Sequence, residues 1–153
     1  MKIKVLAIGK TEKGWVSEAL AIYLDRMKRM MPVEWVELEP AQGQRQDGLL
    51  DETRRVMRNV KPGDYLVLLD ENGGEFDSLG LATWMNKRMV SVQGDLVFVI
   101  GSAYGFHQEL KDKAREKLSL SKLTFTHQMV RVIFAEQLYR CFTILRNDPY
   151  HHS

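Results

Sequence analysis

Five short apolar runs, each followed by a stretch of helical periodicity, limit the possible folds of this chain more than any other feature. The runs are 2–9, 33–38, 65–69, 95–100 and 118–125. In the first, Ile3, Val5 and Ala7 project to one side and Leu6 and Ile8 to the other. Both faces therefore need cover, as in a parallel sheet whose crossovers are helices. Strand–helix alternation from end to end, with no repeat, linker or low-complexity segment, predicts an α/β fold: a mostly parallel sheet with helices on both faces. The 153 residues suit a single domain over 1–153, large enough to need no disulfide or metal staple.

The helical stretches are 15–31, with Val16, Leu20, Leu24, Met27 and Met31 on one stripe and Pro32 as its stop; 49–60; 78 to about 90, with Ser78 as N-cap; 107–117; and 127–146. Residues 40–48, polar and containing Gly43 and Gly48, read as a loop, as does 70–74. Arg54, Arg55 and Arg58 read as a solvated outer face with partners such as Asp51, the alternative being contact with RNA. The run 118–125 alternates only as far as Ser121, where Lys122 and Leu123 break the register. It reads either as a bulged edge strand or as a hydroxyl-rich segment presenting oxygens to a polar ligand. In an open α/β sheet, ligands bind beyond the carboxyl ends of the strands, so the segments after Gly9, Leu69 and Ile100 and around 121–126 are the candidate binding loops.

Composition excludes several classes. No apolar run approaches the ~20 residues of a membrane span, and the N-terminal run lacks the form of a secretory signal. Cys141 is the one cysteine, which suits a reducing cytoplasm and, within an apolar helix, reads as a buried inert thiol. A net charge of +2 is far from that of a protein that coats nucleic acid. Gly9-Lys10-Thr11 lacks the upstream glycine of a phosphate-binding loop, and no strand is followed by Gly-x-Gly-x-x-Gly. Residues 70–74 lack the calcium-loop register, and His151-His152 does not match a zinc spacing, so no metal is expected.

The last helix is apolar around nearly its whole circumference from Met129 to Leu145. Such a helix is buried on all sides. A sheet covers only one, so the second cover is expected to be another copy of the chain, in a homodimer. Arg131 falls on the Phe134–Leu138–Phe142–Leu145 side, where a guanidinium must be paired or face a ligand. Glu136 and Arg140 are spaced to pair across one turn.

The series Leu66–Asp70, Phe98–Gly101, Leu118–Phe125, His127–Val132, Glu136–Arg140 and Pro149–His151 resembles, in order and over essentially the whole chain, the bacterial large-subunit rRNA pseudouridine N3-methyltransferase H family. That family belongs to the SPOUT superfamily of knotted methyltransferases. The resemblance implies a C-terminal segment threaded through a trefoil knot, a cytoplasmic homodimer, and S-adenosylmethionine as cofactor. It places the cofactor on Leu69, Gly101, Leu120, Ser121, Lys122, Leu123, Thr124 and Phe125. The substrate would be a pseudouridine in helix 69 of 23S rRNA, methylated at N3 on the assembled ribosome. On that chemistry His127 is the candidate base or proton relay, unless it only caps or packs at the helix start; Arg131 and Arg140 are its positive partners, and Tyr150 and His151 contact RNA. Two positions depart from the family pattern: Ser102 replaces a second glycine, which would narrow the cofactor loop, and Thr126 replaces a proline, which would loosen the helix start. The competing classes are a ribosome-binding assembly factor without chemistry and a small nucleotide-binding oxidoreductase, and the missing glycine fingerprint counts against the second.

Overall fold

The computed structural model describes residues 1–42 and 45–152; Gly43, Gln44 and Ser153 lie outside the described residues. The chain runs β1 (Ile3–Ile8), α1 (Trp15–Met27), β2 (Val33–Leu38), α2 (Arg45–Met57), β3 (Tyr65–Glu75), α3 (Ser78–Ser91), β4 (Leu96–Ile100), α4 (Gln108–Lys113), β5 (Glu116–Ser119) and α5 (Met129–Leu145). The five strands form one sheet in the order β2-β1-β4-β3-β5, and every pairing is parallel. Parallel order puts all the carboxyl ends on one edge, where the candidate loops gather.

The alternation within each strand divides the core in two. Ile3, Val5, Ala7, Val67, Phe98 and Ile100 face one layer, which includes Leu20 of α1, Trp84 of α3, and Phe134 and Leu138 of α5. Leu6, Ile8, Leu66, Leu68, Val97 and Val99 face the other, with Val56 of α2 and Leu110 of α4. Helices therefore cover both faces, as the two-sided apolar strands require. Phe134 meets Phe98 edge-on with ring centroids 4.9 Å apart, which seats α5 over the middle of the sheet.

Several boundaries differ from the sequence expectation. Gly48 lies inside α2 rather than in a loop. The helical cost of a glycine, ~1 kcal/mol, is outweighed by packing of the stripe that contains buried Leu49 and Val56. Asp77, not Ser78, caps α3: its carboxylate accepts the Gly80 N–H at 2.7 Å. Helix α1 ends at Met27, and the following turns reach Pro32, which disfavours a helical residue before it. Helix α4 stops at Lys113 because Glu116 is drawn into β5, where it accepts hydrogen bonds from the Tyr65 hydroxyl, Trp84 Nε1 at 2.8 Å, and Arg88.

The largest differences lie at the carboxyl edge. Residues 70–74, expected as a loop, belong to β3, and β5 is four residues long rather than eight. Leu118 is the partner of both Leu69 and Gly74, so residues 70–73 are extruded from the ladder. After Ser119 the chain leaves the sheet.

Candidate active site

Three segments wall a cavity of about 410 Å³ beyond β3, β4 and β5: the extruded residues 70–72, the loop 101–106 after β4, and 118–125 after β5. The volume lies within the range of small-molecule sites. Two glycines make the walls possible. A Cβ on Gly73 would lie 2.5 Å from the Lys117 carbonyl carbon, so only glycine lets the extruded strand close against β5. A Cβ on Gly101 would come within 2.9 Å of the Phe106 ring.

Side-chain bonds fix the walls to each other. The Thr124 hydroxyl donates to Glu71 Oε2 at 2.6 Å, joining the extruded strand to the segment after β5. Ser121 Oγ accepts the Leu123 N–H at 3.0 Å, and the Ser119 hydroxyl donates to the Ser121 carbonyl at 2.8 Å. Ser102 directs its hydroxyl to Glu52 Oε1 at 3.3 Å, and the other oxygen of this buried carboxylate accepts the Ala41 N–H. The position that departs from the family pattern thus ties the β4 loop to α2.

Every residue expected to hold the cofactor lines this cavity except Lys122. Lys122 is exposed and reaches Glu75 at 3.7 Å. The walls combine the apolar surfaces of Leu69, Ile100, Leu120 and Phe125 with the polar groups of Asp70, Glu71, Asn72, Ser121 and Thr124. Such a lining fits a ligand with a flat apolar part and a polar, charged remainder.

Of the three expected catalytic residues, His127 lines the cavity and the two arginines do not. Arg131 is fully buried. Its guanidinium donates to the Ile8 and Gly9 carbonyls and the Thr11 hydroxyl, each at 2.9 Å, and its Nε donates to the His127 carbonyl at 3.2 Å. Burial pushes its pKa down, against the pull of Glu37 and Glu12. It clamps the end of β1 to the start of α5 and so sets the backbone of His127. Thr126 adds to the same corner. Its hydroxyl accepts the Met129 N–H at 3.1 Å, at the first residue of α5.

Arg140 belongs to a second cluster. It donates to Glu136 Oε1 through Nη2 at 2.6 Å and Nε at 3.1 Å. It lies 3.0 Å from His151 Nδ1 through Nη1 and sits over the Tyr150 ring at 4.8 Å. The bond to Glu136 holds its pKa above the ordinary value. The Tyr150 hydroxyl donates to Glu136 at 3.1 Å. Burial and the Glu136 charge push Tyr150 up to about 12, so it stays a phenol at neutral pH. From Met129 to Arg140 is about 16 Å along the helix axis. Arg140, Tyr150 and His151 therefore form one group, apart from the cavity of their own chain.

Sequence reasoning missed Glu71, Asn72, Glu52 and Gln128. Only the extrusion of 70–73 brings the first two into the cavity wall, and no local signal announces it. Gln128 is buried and bridges the Lys10 carbonyl and the Glu12 N–H, at 2.9 Å each; these contacts span more than a hundred residues. Cys141, buried within α5 and pushed up to about 12 by burial and then by Glu136, is an inert thiol, as expected. Among the described residues no helix is long and apolar enough to cross a membrane, and no group of three or more His, Cys, Asp or Glu is placed to hold a metal ion.

Known proteins match along the full length. The profile of the family described as "Predicted SPOUT methyltransferase" matches residues 1–151. A protein of Pelobacter propionicus named "Ribosomal RNA large subunit methyltransferase H" is 48% identical over 99% of this chain and 100% of its own. One of the same name from Parabacteroides distasonis is 45% identical over the whole of both chains. The crystal structure of a probable methyltransferase from Bordetella pertussis superposes with a TM-score of 0.61 at 9% identity, covering 92% of this chain and 94% of that one. This last likeness bears on the fold alone. A full-length family match and relatives above 40% identity, on a parallel sheet with a cavity at its carboxyl edge, place this chain in the SPOUT methyltransferase family, among the proteins named large-subunit ribosomal RNA methyltransferase H.

Proposed function

We propose that this protein is an S-adenosylmethionine-dependent rRNA methyltransferase that methylates N3 of a pseudouridine in helix 69 of 23S rRNA on the assembled ribosome, in the cytoplasm. The observation that carries the reading is the cavity beyond β3, β4 and β5, lined by Leu69, Gly101, Leu120, Ser121, Leu123, Thr124 and Phe125, with His127 at its margin. When bound, S-adenosylmethionine supplies an electrophilic methyl group on a sulfonium centre. The apolar side chains exclude water from that centre, and the hydroxyls and carboxylates of the extruded strand orient the polar part of the cofactor.

The N3–H of the target is a weakly acidic imide, nucleophilic once deprotonated. His127 accepts that proton on a ring nitrogen; its imidazole has no hydrogen-bond partner among the described residues and is free to do so. A cation near the developing anion lowers the barrier further. Arg140, held protonated by Glu136, has that property, and Tyr150 and His151 beside it offer a ring face and a polar edge to RNA. This group lies too far along α5 to reach the cavity of its own chain, so the reading includes a homodimer in which a second copy brings it there. The state of α5 supports this: Val132, Ile133, Ile144 and Leu145 remain part-exposed and Met129 exposed after α1, α3 and the sheet have packed. Arg131 acts as a positioning residue through the His127 backbone. The trefoil knot belongs to the same reading, supported by the path of 120–128 past the extruded strand before α5 docks on Phe98.

Calorimetry with S-adenosylmethionine and methyl transfer to ribosomes from cells lacking the modification test the proposal together. Tight binding and one methyl group at the pseudouridine are expected. Binding without transfer would favour an assembly factor, and absence of both would remove the reading.

A further inference from the structure

The loop from β1 into α1 leads to an aromatic ring on the surface. Trp15 begins α1 with 57% of its surface exposed, and it makes no ring contact among the described residues. Lys10 and Lys13, in the loop just before it, are exposed, with no hydrogen-bond or ion-pair partner for either ammonium group among the described residues. The loop beneath them is anchored. Buried Gln128 holds the Lys10 carbonyl and the Glu12 N–H. Arg131 holds the Gly9 carbonyl and Thr11, and Glu37 accepts the Thr11 N–H at 3.1 Å. Gln128 directly follows His127, so the loop stands at the His127 corner of the cavity. Glu12, the one acid in the loop, is exposed as well, so the loop carries two lysines against one carboxylate.

An exposed indole just after an anchored loop with two unpaired ammonium groups matches the chemistry of an unstacked nucleic-acid strand: a base takes the ring face and phosphates take the cations. A second copy of the chain is a poorer fit, because the cores of protein interfaces are depleted in lysine. We propose that Lys10–Trp15 is an RNA-contact element, in which Trp15 stacks on a base near the modified nucleotide and Lys10 and Lys13 bind backbone phosphates. The proposal rests on the reading that this enzyme acts on RNA.

The test is co-sedimentation of the full chain with assembled ribosomes lacking the modification, at several salt concentrations, for wild type, W15A, W15F and K10A/K13A. Trp15→Ala is expected to weaken binding about tenfold or more, and Trp15→Phe to restore most of it. The double lysine variant is expected to lower the slope of log affinity against log salt by about 1.4. S-adenosylmethionine affinity, measured by calorimetry, should not change in any of them. Wild-type binding by W15A, or a wild type that binds no ribosome, overturns the proposal. So does a loss in W15A that tracks a fall in oligomeric mass, which would assign the ring to a second copy. Failure of the parent reading shows differently, as a wild type that binds ribosomes but transfers no methyl group.

Discussion

Replacing Arg131 with methionine is expected to destabilise the protein by about 3–5 kcal/mol. The guanidinium makes four hydrogen bonds, to the Ile8, Gly9 and His127 carbonyls and the Thr11 hydroxyl. Bonds from a charged donor contribute about 1.5–3 kcal/mol each, so the gross loss is about 6–12 kcal/mol. Against this, removing a buried cation recovers several kcal/mol of desolvation, and the lowered pKa of Arg131 shows that burial outweighs the pull of Glu37 and Glu12. Thr11, part-exposed, recovers a water molecule in place of the arginine. What remains is the cost of the orphaned carbonyls. Urea unfolding at fixed protein concentration and without ligand gives the measurement, since binding or association would shift the midpoint by mass action. With a denaturant slope of about 2 kcal/mol per molar, the midpoint should fall by about 2 M. Arg131→Lys keeps the charge but loses the planar fork, so its midpoint should lie between the other two. A shift under about 0.5 M for the methionine variant would mean that Arg131 does not hold β1 to α5 and that its importance lies in a ligand.

Other expectations follow from the same geometry. Gly73→Ala should cost about 1–3 kcal/mol through backbone displacement at Lys117 and lower S-adenosylmethionine affinity; full affinity by calorimetry would contradict the extruded strand. Burial alone would raise the Glu116 pKa, but hydrogen bonds from Arg88, Tyr65 and Trp84 outweigh it and hold the carboxyl below its usual 4.5. A depressed carboxyl stabilises above its unfolded pKa and loses that contribution as pH falls through the folded value. The stability gap between wild type and Glu116→Gln should therefore be widest above pH 4.5 and narrow with acid; a constant gap in urea titrations would refute this. His127→Ala should lower the single-turnover methyl-transfer rate at least a hundredfold while leaving urea stability nearly unchanged, and an unchanged rate would assign the ring to packing. Cys141, with its pKa near 12, should react with alkylating reagents only as fast as the protein unfolds.

Much of this protein was determined locally. The two-sided apolar strands required a parallel sheet covered by helices, and the residues of β1 divide between the two core layers as their alternation requires. The carboxyl edge was legible as the place for chemistry, and the sequence blocks after Leu69, Gly101 and Leu118 were enough for a family resemblance. Periodicity also showed that α5 needs cover beyond one sheet. What periodicity cannot state is which distant group an element meets, because it fixes the face of a helix and not its neighbour. Arg131 was correctly placed on a buried side of α5, but only the docking of α5 across the end of β1 turned it to the Ile8 and Gly9 carbonyls and away from the cavity. Residues 70–73 read as a loop, and only the pairing of Leu118 with both Leu69 and Gly74 made them the wall of a site. The strand order, the separation of Arg140 from His127 and the anchoring of the Trp15 loop by Gln128 depend on contacts between residues far apart in the chain. Those were settled by packing free energy over the whole molecule, which no window of sequence contains.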